Sequence, residues 1–388
     1  MNNRKKILFI LGVLDSGGVA KSLVSLINAI DRTRCDVSLL LVASHKGQFF
    51  ELLPQDVTIL QDEVLSNVGT LEGLSFLLKK GYFCLALGTI LRLALACVSK
   101  AWSGYVLSRL MPPVKGEYDL IVDYNGQHQT YYMVDKLKAK KKVAFFHSDY
   151  AKWPYYYKMD RRYYPKLDAI FTVSPMCVQS LKKYFPEQAD KIQLMENISS
   201  LSVIEKMAED DVILPQKAKW TFLTVGHVCI NKGTDLAIRA GKILKDKGID
   251  FLWCFVGSTE EQRRFESLLN ECGVQSNFAF LGIKTNPYPY FKHCDIVVHP
   301  SLFEGKSVTL DEAKLLCKPI VVTNFSTVSD QFEDGVNANV VEMAPQALAE
   351  GILDLINDSE KRNRYKNWLD AHKRDNASEV EKLYKLME

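Results

Sequence analysis

The chain has 388 residues, 47% hydrophobic and 24% charged, so large cores can form and wholesale disorder is excluded. A formal net charge of +3 is too mild for a dedicated nucleic-acid binder, and no nucleic-acid partner is expected. Nine irregularly spaced cysteines without a C-x-x-C argue for reduced thiols over a disulfide framework or a zinc ribbon.

Arg4-Lys5-Lys6 followed by Ile7 to Leu14 imitates the start of a signal peptide, but no small-x-small site follows. The run predicts a buried strand over 6–12 that enters a glycine turn, Gly12 to Gly18. That turn opens like a P-loop, yet Gly18 stands where a lysine is required, and G-x-G-x-x-G is absent. Its N–H groups suit an anion or a closely approaching ligand; a plain strand–helix turn fits equally well. A helix over 19–30 and a strand over 37–42 follow.

The segment from Gly73 to Val114 breaks the rhythm. It carries Lys79, Lys80, Arg92, Lys100 and Arg109 and no acidic residue. Gly88, Arg92, Ala96, Ser99 and Ser103 form a small or polar stripe on an otherwise apolar helix. A mid-helix arginine costs about 3 kcal/mol on insertion scales, which disfavours a membrane span. Two readings stay open. One is a helical hairpin packed on its own domain. The other is a basic, apolar surface lying on an anionic membrane, extended by Lys138, Lys140, Lys141, Lys142 and the aromatic-basic run 155–166.

Strands are predicted at 120–123, 142–146 and 169–173. A softer stretch, 199–218, reads as a linker. The rhythm then restarts with strands at 220–226, 252–257, 278–282, 296–299 and 319–323, and the chain after 359 is charged and helix-prone. Alternation of this kind predicts two α/β domains in tandem.

Two motifs in the second half carry chemistry. The segment Thr224 to Gly233 places Gly226, His227 and Lys232 just past a strand end, where open α/β sheets bind ligands. Pro300 to Ala313 holds Glu304 at a strand mouth and Glu312 in a helix that starts near Ser307. At about 1.5 Å per residue the two carboxylates stand roughly 12 Å apart, a span that suits a sugar nucleotide with its diphosphate at the helix N-terminus. Glu312 as an ordinary exposed helix residue fits equally well.

Taken together, Gly226-x5-Lys232-Gly233, Pro300-Ser301-x-x-Glu304-Gly305, the Glu304-x7-Glu312 spacing and the strand Lys318-Pro319-Ile320-Val321 resemble the family-4 retaining glycosyltransferases of GT-B fold. Phe280-Leu281-Gly282 and Cys294-Asp295-Ile296 match similar runs, and Gly17-Gly18, His147-Ser148-Asp149 and Thr172-Val173-Ser174 match in kind. The Glu304-Gly-Lys-Ser variant looks like a bacterial polysaccharide-assembly branch.

The resemblance implies two Rossmann-like domains facing a central cleft. Their expected limits are 1–198 for the acceptor domain, 199–218 for the linker, 219–358 for the nucleotide-sugar domain, and 359–388 for a helix returning to the first. It implies that Glu304 contacts the donor sugar, Glu312 the ribose, and Lys232 the diphosphate, with N–H groups of Ser307, Val308 and Thr309 beside Gly305 and Lys306. Gly282 and Ile283 would line the base pocket, Gly17 and Gly18 would approach the diphosphate, and His147 would face the reacting sugar; a satisfied strand-end histidine is the plainer reading.

The family commonly has arginine where His227 stands, and an aromatic or small residue where Lys306 stands; Lys306 would replace the missing cation or select a donor. No D-x-D occurs, so neither a metal nor a cofactor is expected. The implied activity is retaining transfer from a nucleoside-diphosphate sugar, a UDP sugar in the commoner case, to a saccharide or lipid-linked saccharide. The implied place is the cytoplasm, at the inner face of the cell membrane. A sugar-nucleotide epimerase of the same fold and a non-catalytic partner subunit are the competing readings.

Overall fold

The computed structural model describes residues 4–15, 17–43, 47–199 and 201–388. Ser16 of the glycine turn and Ser200 of the expected linker lie outside the described residues. The chain divides into two compact units. The first comprises Met1–Asp15, Val19–Ile198 and Ala377–Glu388, the second Ser16–Gly18 and Ser199–Asn376.

In the first unit, β1 (Lys5–Leu11), β2 (Cys35–Leu41), β3 (Thr58–Leu60), β4 (Glu117–Asp123), β5 (Lys138–Phe146), β6 (Ala169–Thr172) and β7 (Ile192–Leu194) form one parallel sheet ordered β3-β2-β1-β4-β5-β6-β7. The strands are apolar on both faces because helices cover both. Along β1, Ile7 and Phe9 enter one core while Leu8 and Ile10 enter the other, and all four are fully buried. Each such side chain contributes about 1.5–3 kcal/mol on burial.

The second unit repeats the plan with β8 (Trp220–Val225), β9 (Phe251–Val256), β10 (Phe278–Phe280), β11 (Ile296–His299), β12 (Ile320–Thr323) and β13 (Asn339–Val341), ordered β10-β9-β8-β11-β12-β13. Both sheets are Rossmann-like, as expected. The strand order reverses between β1 and β4 in one and between β8 and β11 in the other, and such switch points are where open α/β sheets take ligands.

Some elements differ from the sequence reading. The edge strands β3, β7 and β13 have three residues each, too few to show a period. Residues Leu201–Ala208, inside the expected linker, form a helix that sends Ile204 and Ala208 into the second unit's core. The helix Ser359–Ala371 belongs to the second unit as well. Its Tyr365 is buried there and donates to Asn339 Oδ1 at 2.8 Å. Only Ala377–Glu388 joins the first unit, where Leu383, Tyr384 and Met387 are core and the Asp31 N–H donates to the Tyr384 oxygen at 2.7 Å. The expected return at 359 therefore moves to 377.

The segment around 73–114 contains the helices Phe83–Ala96 and Lys100–Leu110, which pack on each other. Gly88, Arg92 and Ser103 of its small-polar stripe face inward, while Ala96 at the helix end is exposed. A β-carbon on Gly88 would collide with Leu110, the Ser103 hydroxyl donates to the Arg92 carbonyl at 3.0 Å, and Arg92 Nη1 donates to the Gly69 carbonyl at 3.0 Å. The apolar side faces out: Phe83 is 67% exposed, Leu87 69% and Val98 85%, with Ile90 and Leu91 also exposed. Tyr82, Trp102, Trp153 and Tyr155 are exposed as well, and Lys100 lies over the Tyr155 ring at 4.4 Å. Only Ala86 and Thr89 of the helix Phe83–Ala96 are buried, the reverse of a water-facing helix. Arg92 turns inward and Arg109 pairs with Asp135 at 3.3 Å, which takes both arginines out of the outward face. The lysine run does not extend the patch. Lys138, Lys140 and Lys141 pair with Glu117, Asp119 and Asp168, and Lys142 donates to the Val134 carbonyl.

Candidate functional site

At the second unit's switch point, the loop after β8 and the loop after β11 are stitched together. The Leu302 N–H donates to the Asn231 carbonyl at 2.9 Å, and the Ser301 hydroxyl donates to the same oxygen at 3.2 Å. Gly233 makes this possible. Its φ is 67°, and a β-carbon there would collide with the Pro300 carbonyl. Lys232, the residue before it, closes the turn Ile230–Lys232 and places its ammonium 2.5 Å from Glu304 Oε1. His299, the last residue of β11, approaches the same oxygen through Nε2 at 2.9 Å. The Thr327 hydroxyl donates to the Glu304 carbonyl at 3.0 Å and fixes the turn.

The Glu304 side chain is 12% exposed. Burial alone would raise its carboxyl, but the Lys232 charge and the His299 contact outweigh that cost and hold it down at about 2. The carboxylate therefore stays ionised throughout the neutral range. Both partners sit on Oε1, so neither occupies Oε2. Lys232 and Glu304 come together as the motif spacing suggested. His299 was missed, because it reads as the end of an apolar strand. His227 is exposed and pairs with neither.

Beside this pair starts the helix Val308–Leu315, capped by Ser307, whose hydroxyl accepts from the Leu310 N–H at 3.4 Å. The Ser307 N–H donates to Gln331 Oε1 at 3.0 Å, so the expected anion contact from that group is corrected to an internal bond. Val308 and Thr309 retain first-turn N–H groups. Gly305 is buried in the turn before them. Lys306 departs from expectation too: its side chain is 7% exposed and lies 3.6 Å from Asp311, which also pairs with Lys314 at 2.8 Å. A lysine held in this way serves the helix end rather than replacing a free cation.

Glu312 is buried, not a solvated helix residue, and its Oε1 accepts from the Tyr288 phenol at 3.0 Å. Gly226 lies beside the Lys232 stem, and Gly282 follows β10, bonding through its carbonyl to the Gly257 N–H at 3.0 Å, with Ile283 half-buried next to it.

The remaining expected residues lie elsewhere in the chain. Gly17 and Gly18 open the helix Gly18–Ala29 after β1, and Gly17 has φ 149°. His147 follows β5 in the first unit, its ring 4.6 Å from Tyr124 and stacked on Phe145 at 5.4 Å. Burial pushes it down to about 4 against a bond to the Tyr124 backbone, so it is neutral at neutral pH. Its Nε2 is buried with no hydrogen-bond partner among the described residues, which removes the reading of a satisfied strand-end histidine. Among the described residues, no group of three or more His, Cys, Asp or Glu is placed to hold a metal ion.

Residues 206–368 match the family model Glycosyl transferases group 1. The match supports a glycosyltransferase. Over 260 residues the chain is 21% identical to an uncharacterized glycosyltransferase of Methanocaldococcus jannaschii, spanning 58% of this chain and 64% of that protein. It is 23% identical over 367 residues to an uncharacterized glycosyltransferase of Haemophilus influenzae, spanning 92% of each. To the capsular polysaccharide biosynthesis glycosyltransferase CapM of Staphylococcus aureus it is 28% identical over 140 residues, 36% of this chain and 37% of CapM. Among solved structures, Anabaena HepE in complex with UDP and glucose superposes with a TM-score of 0.70 at 17% identity, covering 98% of this chain and 99% of that one. WaaG, a glycosyltransferase involved in lipopolysaccharide biosynthesis, superposes with a TM-score of 0.66 at 16% identity, covering 98% and 99%. The fold is thus GT-B.

Proposed function

We propose that this chain is a retaining glycosyltransferase that moves a sugar from a nucleoside-diphosphate sugar, with UDP the preferred carrier, to a lipid-linked saccharide. The observation that carries this reading is the Lys232–Glu304 pair beside a helix N-terminus at a switch point. When the anomeric bond breaks, negative charge develops on the leaving diphosphate. Lys232 and the N–H groups of Val308 and Thr309 meet that charge without reorganising, in place of a metal. Glu304 Oε2 holds donor-sugar hydroxyls, Glu312 the ribose, and Gly282 and Ile283 the base, while Gly17 and Gly18 admit the diphosphate. His147 presents a neutral imidazole to the reacting sugar. The acceptor attacks on the face the diphosphate leaves, and the leaving phosphate takes the acceptor's proton. HepE's complex with UDP and glucose supports a UDP sugar as donor, and CapM supports a capsule, exopolysaccharide or O-antigen setting.

The outward apolar stripe of the helix Phe83–Ala96, flanked by Lys79, Lys80 and Lys100 and by exposed aromatics, docks on an anionic membrane at its cytoplasmic face. Each cation near such a surface contributes about 1 kcal/mol. No helix among the described residues is long and apolar enough to cross a membrane.

Incubation with labelled nucleotide sugars and membrane extract in EDTA tests the activity. Label should pass into lipid. Donor isomerisation would indicate the epimerase instead, no reaction a partner subunit, and a strict metal requirement would overturn the role of Lys232. Flotation tests the docking: wild type should rise with anionic vesicles, less so at high salt, and the double variant Leu87→Ser/Leu91→Ser should remain in solution. Equal flotation of both proteins would remove the stripe from the contact.

A further inference from the structure

The loop that carries Glu304 from β11 into the helix Val308–Leu315 is held by one later segment of the second unit. Three side chains of that segment, four residues apart, reach three loop residues that stand three apart. The Thr323 hydroxyl, at the end of β12, donates to the Ser301 carbonyl at 2.5 Å. The Thr327 hydroxyl donates to the Glu304 carbonyl at 3.0 Å. Gln331 makes the last rung with its amide. Its Oε1 accepts from the Ser307 N–H at 3.0 Å, and its Nε2 donates to the Ser307 carbonyl at 2.9 Å. All three side chains are buried, and Phe325, Val328 and Phe332 between and beside them anchor the segment in the core.

The first two rungs hold carbonyls and fix where the loop runs. The third fixes a direction. The Ser307 C=O and the Val308 N–H belong to one planar trans peptide, so they point opposite ways. The Ser307 carbonyl accepts from the Asp311 N–H at 3.2 Å, the first bond of the helix, and from the Gln331 amide as well. Two donors from different elements on one carbonyl leave the Val308 N–H a single direction. The serine cap adds little to this, because its hydroxyl is 3.4 Å from the Leu310 N–H, a long bond.

Nothing in the Gln331 amide is left for another purpose. Its second hydrogen bond from Nε2 goes to Asp311 Oδ1 at 3.0 Å, in the first turn of the same helix. Gln331 is 7% exposed, so water does not substitute for these bonds. Val308 N–H is one of the groups that meet the diphosphate in the function proposed above, and an N–H aimed in advance meets a charge without reorganising.

We propose that Gln331 is a positioning residue for the donor diphosphate: through Ser307 it aims the Val308 N–H, and loss of its amide loosens the anion site while Lys232 and Glu304 stay in place. The diphosphate rests on the transferase reading; the aim of the N–H rests on the peptide geometry.

The test uses the full chain and Gln331→Met, a variant of similar volume without hydrogen bonds. In calorimetric titration wild type should bind UDP, with GDP run alongside, and the variant's Kd should rise at least fivefold. With labelled donor and membrane extract, its kcat/KM for the donor should fall at least tenfold, while the extract needed for half-maximal rate stays within twofold. In 15N NMR of wild type, UDP should shift the Val308 amide more than that of Leu310, and the Val308 response should shrink in the variant. A merely structural role would lower the thermal midpoint and leave the UDP Kd and the Val308 response as in wild type. Should Gln331→Met melt early, Gln331→Glu takes its place. It keeps the volume and an accepting oxygen but loses both donations, and its Kd for UDP should rise as well. The proposal is overturned if the folded variant binds UDP within twofold of wild type, if the extract requirement moves instead, or if UDP leaves the wild-type Val308 amide unshifted. If wild type binds neither UDP nor GDP, the transferase reading falls and the proposal with it; unchanged affinity in the variant removes the proposal alone.

Discussion

The two units repeat one topology and place opposite chemistry at equivalent points. Where the second sheet reverses, a glutamate, a lysine and a histidine share one oxygen, and the carboxyl is held at about 2 although it is nearly buried. At the first reversal the buried carboxylate is Asp123, at the end of β4. Asp123 receives only neutral donors, and burial pushes it up to about 6. Deeper in the same unit, Asp160 accepts from the phenols of Tyr131 and Tyr150, each at 2.6 Å, and burial pushes it up to about 7. Burial alone thus does not set the charge of these carboxylates. A cation within about 3 Å reverses the sign of the shift, and hydroxyl donors do not.

The largest expected effect comes from dismantling the charged side. Glu304→Gln should abolish measurable transfer while moving the thermal midpoint by less than about 4 °C, since the side chain lies at a strand mouth and not in a core. Lys232→Met should lower kcat/KM on the order of 10²- to 10³-fold, the usual loss when one fixed charge leaves a reacting site. In that variant NMR titration should find the Glu304 carboxyl well above its wild-type value. Near-wild-type turnover in both variants would dissolve the contrast between the two crevices.

A smaller effect sharpens the neutral side. Asp160 has a raised carboxyl pKa in the folded state, about 7 against an ordinary value near 3.8. Between those values the folded chain holds a proton that the unfolded chain has released. The stability this group contributes is therefore greatest in acid and is lost as pH rises from about 4 to about 7, on the order of a few kcal/mol. Asp160→Asn cannot titrate. Its melting temperature should lie below wild type at pH 5, because one phenol loses its acceptor, and the gap should close toward pH 8. A gap independent of pH would show that Asp160 is ionised in the folded protein.

Much of the site was legible from local signals. Lys232 and Glu304 stand in glycine-marked turns after strands, and the positive φ at Gly233 is the backbone reason a glycine must follow the lysine. The roles that were misjudged depend on partners distant in sequence. Lys306 looked like a free cation until Asp311 folded back onto it, and the Ser307 N–H looked available until Gln331 reached it from a later turn. His299 was not anticipated for the same reason: nothing near it in sequence says that its ring reaches the carboxylate.

By itself the sequence determined the two parallel α/β domains, because strand-length apolar runs alternating with helical periods permit little else. It also determined that the segment around Phe83–Ala96 is apolar and free of acids. It left open which side of that helix meets the protein. Tertiary packing decided this: Gly88 allows the neighbouring helix to approach on the small side, Arg92 finds a carbonyl there, and Phe83, Leu87 and Leu91 are turned outward. It likewise decided the charge states, since a carboxyl's pKa is set by what stands within a few ångströms after folding, and Glu304 and Asp160 differ in that alone.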